Sequence, residues 1–132
     1  MHRCEVKITR EPLLPLPSAF STEHGAVVDF FGVVREDEND ATISGLEYEA
    51  FVEMAEAELG RISEEIAQKY SLGSVIVHHR IGFVPAGEAS LIVRVTARHR
   101  GAAFAGSQRL VELLKARVPI WKHPIQTKLR SA

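Results

Sequence analysis

A chain of 132 residues, 45% hydrophobic and 25% charged, can bury one core but not two, and this composition excludes a disordered or collagen-like protein. With 16 Lys and Arg against 17 Asp and Glu the formal net charge is −1, so no global field draws the molecule onto nucleic acid or anionic lipid, and any anion site has to be local. The lone cysteine, Cys4, excludes an internal disulfide, and the absence of a leader-like start or of an apolar run near the ~20 residues of a membrane span points to a single-domain cytoplasmic protein.

In chain order, a short strand is expected around Glu5 to Ile8. Pro12, Pro15 and Pro17 then fix φ and remove donors, so residues 9–23 read as an extended connector. The run GAVVDFFGVVR, residues 25–35, is β-branched and aromatic and reads as a buried strand, with Gly32 marking a bulge or a close backbone approach. After the acidic turn EDENDAT, Leu46, Tyr48 and Ala50 alternate with Glu47 and Glu49, as a half-buried strand requires. Phe51, Ala55, Leu59, Ile62, Ile66 and Tyr70 recur every three or four residues and predict an amphipathic helix that stops near Gly73. SVIVHHRIGFV and EASLIVRVTAR flank Pro85-Ala86-Gly87 and read as an antiparallel hairpin. The chain turns helical after Arg98, and Pro119 ends that helix at or before Val118. Strands and helices mix without regular βαβ alternation, which indicates an α+β fold.

Two constellations carry chemistry. Arg98, His99 and Arg100 stand where a strand hands over to a helix, so two guanidinium groups and an imidazole join the free N–H groups of a helix start. The spacing fits a phosphate or carboxylate pocket, and it fits a solvated basic turn. Lys115 and Lys122 bracket the stiff apolar segment Val118-Pro119-Ile120-Trp121. Held against apolar surface, such an amine becomes a nucleophile, a base or a point charge for an anionic intermediate; left exposed, it is an ordinary lysine. Arg35, at a strand end before an acidic loop, reads by itself as a surface ion-pair former. His78 and His79 point to opposite faces of a strand and read as structural histidines, and no local spacing typical of zinc, nucleotide loops or serine hydrolases occurs.

Taken together and in order, HGAVVDFFGVVRE, LEYEAFVEMAEAEL, VHHRIGFVPAGEASLIVRVTARHRGAAF and LKARVPIWK resemble the catalytic large subunit of molybdopterin synthase over roughly residues 24–122. The most specific parts are V-T-x-x-H-R-x-x-A-F and L-K-x-R-x-P-x-W-K. The resemblance implies an α/β-hammerhead-like domain with an antiparallel sheet and flanking helices. It also implies a homodimer within a heterotetramer, with a ubiquitin-like small subunit at each end. The implied reaction moves sulfur from a C-terminal thiocarboxylate of that small subunit to cyclic pyranopterin monophosphate and forms the dithiolene of molybdopterin. No metal or cofactor is implied for the step. By motif position Lys115 and Lys122 are the catalytic residues, and Arg35, His99 and Arg100 bind the substrate.

The chain departs from the family pattern after Lys122, where a basic and then an acidic residue usually precede a longer tail with another tryptophan. Here HPIQTKLRSA, residues 123–132, follows, with Lys128 and Arg130 as candidate replacements for a missing basic group. This departure keeps two competing readings open: a non-catalytic homologue that binds the small subunit, and a phosphorylated-metabolite binding protein built on Arg35, His99 and Arg100.

Overall fold

In the computed structural model, which describes residues 2–18 and 20–126, the apolar runs become two sheets and two helices. The order is β1 (Arg3–Thr9), β2 (Ala26–Val33), β3 (Asp37–Glu38), β4 (Ala41–Ala50), α1 (Val52–Tyr70), β5 (Ser74–Arg80), β6 (Gly82–Pro85), β7 (Ala89–Ala97), α2 (Arg100–Arg117) and β8 (Ile120–Gln126). The architecture is α+β. No helix among the described residues is long and apolar enough to cross a membrane.

The first sheet runs β1-β5-β7-β2. β5 and β2 flank β7 antiparallel, while β1 lies parallel to β5, so the sheet is mixed at one edge. A parallel pair cannot be closed by a tight turn, and here everything from β2 to α1 forms the connection. Ser90 to Ala97 of β7 are all buried, because both faces of this strand are covered. Leu91, Val93 and Val95 meet Leu59, Ile62 and Ile66 of α1 and Leu110 and Leu114 of α2 in the main core. On the other face the proline-rich connector crosses the sheet, held by Arg94. That guanidinium grips Asp29 with two hydrogen bonds of 2.7 and 2.8 Å and donates to the carbonyls of Pro17 and Leu16.

The second sheet, β3-β4-β6 with β8 also paired to β4, has only a small core of Val34, Ile43, Leu46 and Val84. The run SVIVHHRIGFV is shared between the two sheets. β5 forms the expected antiparallel pair with β7, but at Gly82, with φ of 84°, the chain turns and β6 leaves to pair with β4. Gly32 marks the expected irregularity, a shift of register between Gly32 and Val33. α1 stops earlier than its sequence predicts: Ser71, not Gly73, takes the left-handed conformation with φ of 54°. Gly73 serves packing instead, since a Cβ there would collide with the His24 ring. The divergent tail continues as β8 along β4 as far as Gln126, whereas Lys128 and Arg130 lie outside the described residues.

Candidate active site

Between the two sheets lies a cavity of about 400 Å³. Its walls come from the end of β2, from β3 and β4, from His79 of β5 and the start of β7, and from the end of α2 with the segment that joins it to β8. Lys115 stands in the last turn of α2, where a cation is favoured by the carbonyl end of the helix. Val118 then adopts an extended conformation and the chain re-enters as β8, pairing Lys122 with Tyr48 of β4. Successive strand residues face opposite ways, so Lys122 turns to the cavity and Trp121 turns out, its ring edge-on to Phe51 at 5.1 Å. The stiff segment therefore supplies direction. It does not desolvate the amines: Lys115 and Lys122 are both exposed, as the second of the two readings of the segment has them.

Arg35 joins the two lysines on the cavity wall and makes no ion pair among the described residues, in contrast to the surface pairing that its position suggests. Lys122 Nζ lies 3.5 Å from a carboxylate oxygen of Glu38, which is itself largely enclosed. His99 and Arg100 are elsewhere. His99 occupies the position before α2 without a capping bond from its side chain, and Arg100 is the first helical residue, whereas Lys115 is near the helix end. At 1.5 Å per residue the helix separates Arg100 from Lys115 by about 22 Å along its axis. One chain thus brings Arg35, Lys115 and Lys122 together and leaves His99 and Arg100 at the far end of α2.

The floor holds three polar groups that the sequence pattern assigned to structure alone. Tyr48 donates its hydroxyl proton to Ser90 Oγ at 3.2 Å, and Ser90 donates to the Gly32 carbonyl at 3.4 Å. His79, 4% exposed, packs edge-on against the Tyr48 ring at 5.3 Å. Burial pushes its pKa down, so the ring is neutral. Its Nδ1 hydrogen goes to the Arg80 carbonyl at 2.8 Å, leaving Nε2 as an acceptor. His78 faces the other way and meets Glu5 at 2.9 Å. The alternation rule separated the two histidines, but only the pairing of β4 with β8 and β6 reveals that Tyr48 and His79 look into a cavity. Three cations and one carboxylate above a neutral polar floor suit a small anionic ligand with hydrogen-bonding edges.

The family model for the MoaE protein matches residues 8–117. A molybdopterin synthase catalytic subunit of Thermoplasma volcanium is 37% identical over 123 residues, covering 91% of this chain and 90% of that protein. The human protein of the same name is 41% identical over 101 residues, covering 76% of this chain, and the chain spans 54% of its length. Among solved structures, molybdopterin synthase from Staphylococcus aureus superposes with a TM-score of 0.82 at 32% identity, over 91% of this chain and 90% of that one. A complex of subunits 1 and 2 of the molybdopterin-converting factor from Helicobacter pylori contains a chain with the same fold, at a TM-score of 0.65 and 23% identity, over 83% of this chain and 75% of that one.

Proposed function

The chain belongs to the MoaE protein family, and from that premise we propose that it is the catalytic subunit of a cytoplasmic molybdopterin synthase. In this reading a ubiquitin-like small subunit inserts its C-terminal thiocarboxylate into the cavity, and sulfur passes to cyclic pyranopterin monophosphate. The tail sulfur bonds to a substrate carbon in place of an oxygen substituent, and water then cleaves the acyl–sulfur bond, which leaves the sulfur on the substrate and releases the tail as a carboxylate; the two dithiolene sulfurs therefore require two tails. The observation that carries the reading is the convergence of Arg35, Lys115 and Lys122 on one cavity of about 400 Å³.

Each residue has a role set by its surroundings. Arg35, with no acidic partner among the described residues, binds the substrate phosphate. Lys115 engages the thiocarboxylate carbonyl and stabilises the charge that grows on it during transfer. Lys122, kept in place by Glu38, holds the anionic intermediate or moves a proton to it. Tyr48, Ser90 and the acceptor Nε2 of His79 offer hydrogen bonds to the polar edge of the pterin.

His99 and Arg100 reach the same substrate only if a second copy presents them, which is the role we assign to a homodimer within a heterotetramer. Unpartnered apolar surface supports that assembly: Phe30, Phe31 and Val33 are exposed on β2, an edge strand, and Phe104 is exposed in the first turns of α2. The departure at His123-Pro124 favours a second reading, a homologue that binds the small subunit without turnover.

Single-turnover formation of molybdopterin from the cyclic monophosphate and thiocarboxylated small subunit tests both readings. Product that disappears in Lys115→Ala supports the synthase. Small-subunit binding without product in the natural chain supports the non-catalytic homologue, and substrate binding indifferent to Lys115 with no affinity for the small subunit supports a metabolite-binding protein.

A further inference from the structure

Away from the cavity, the start of β1 meets the middle of α1 with three different donor groups. His2 and Cys4 are two residues apart and lie on the side of the strand that Val6 and Ile8 continue into the main core. Glu64 faces them from α1, its carboxylate in contact with the His2 ring. One imidazole nitrogen, the Cys4 sulfur and one carboxylate oxygen all lie within 4.8 Å of one another. A groove lined by Cys4, Val6, Gly60 and Glu64 opens beside them, and Gly60 leaves free space where a side chain would stand. The neighbouring charges are committed elsewhere: Arg61 to Glu58 at 2.6 Å, and Glu65 to Arg117 at 3.1 Å. The sequence hides this grouping, since 62 positions separate His2 from Glu64.

We propose that His2, Cys4 and Glu64 form a binding site for a divalent cation of the zinc class, with the fourth position open to water through the groove at Gly60. A set of one nitrogen, one sulfur and one oxygen selects a borderline-soft ion over calcium or magnesium, which take oxygen alone. Tetrahedral bonds of about 2.0 to 2.3 Å place ligand atoms about 3.5 Å apart, so closure moves the ligand atoms by about 1 Å, within the reach of side-chain rotation. On binding, the thiol releases its proton to solvent and the sulfur becomes a thiolate ligand. The ion ties edge strand β1 to α1 and takes no part in the sulfur transfer proposed above.

The test uses the full chain without an affinity tag, titrated with Co²⁺ as a spectroscopic probe and then with Zn²⁺ as competitor. The expected result is one Co²⁺ per chain, with a thiolate-to-cobalt charge-transfer band and the visible bands of tetrahedral cobalt, both removed by Zn²⁺. Cys4→Ser should lose the charge-transfer band, and His2→Gln at a half-buried position and Glu64→Gln at an exposed one should each weaken binding about tenfold or more. A titration without a thiolate band overturns the proposal. So does a band whose affinity is unchanged in both His2→Gln and Glu64→Gln, which would show the thiol alone collecting metal.

Discussion

The two sheets differ in what they are made to withstand. In the first, β7 is buried from Ser90 to Ala97, with two helices on one face and a strap of connector on the other. In the second, β8 is exposed along almost its whole length and the core amounts to Val34, Ile43, Leu46 and Val84. Yet every cation of the cavity is attached to the second sheet or to a segment leading into it: Arg35 before β3, Lys115 before β8, and Lys122 within β8. The larger core belongs to the first sheet, and the chemistry proposed above belongs to the border with the second. Charged groups that must reach a substrate cannot be sealed in a core, and the thinner sheet keeps them accessible.

Mutations on the two sides of that border should separate activity from stability. The largest effect is expected for Lys115→Ala, which should lower single-turnover product formation about 10²-fold or more with small-subunit binding and melting temperature little changed. Ile62→Ala should do the reverse. It empties a fully buried position between α1 and the first sheet, costs about 2–5 kcal/mol in denaturant unfolding, and leaves the turnover of the folded fraction intact.

His79 lies on the border and should show both kinds of effect. Its folded pKa is depressed below 6.5 by burial, so the unfolded state binds the proton more readily. The stability contribution is complete above the unfolded value and is lost as pH falls through 6.5 toward the folded value. Melting curves between about pH 8 and about pH 5 should therefore fall less steeply for His79→Gln than for the natural chain, while its KM for the pterin substrate rises. If the pH dependence is unchanged, the neutral buried imidazole is wrong. The smallest effect is expected for Arg117→Ala, which removes the ion pairs to Glu58 and Glu65 that link the two helices at the surface. Its melting-temperature loss should be well below that of Ile62→Ala and should shrink in high salt.

How far the sequence could be read follows the same border. Local periodicity suffices for α1, because its stripe from Ala55 to Ile66 needs only the helix itself, and for the stop at Pro119. It cannot divide SVIVHHRIGFV between two sheets, since nothing local says that β6 prefers β4 to β7. For the same reason Tyr48 and His79 read as structural until pairing partners far along the chain place them on a cavity floor. The separation of His99 and Arg100 from Lys115 is different. A helix of 18 residues fixes it, and motif resemblance alone conceals it, because resemblance collects residues without saying how many chains supply them.

The parallel partnership of β1 and β5 bears on the order of folding. Arg3 pairs with Ser74, and no hairpin or single helix can bring them together. The contact waits until the intervening strands and α1 are in place, because loop-closure entropy must be offset by native contacts made earlier. During synthesis β1 leaves the ribosome well before its partner β5 and has to wait for it to be seated. Until then the edge of β5, with Val75 and Val77, is open to pairing with other chains.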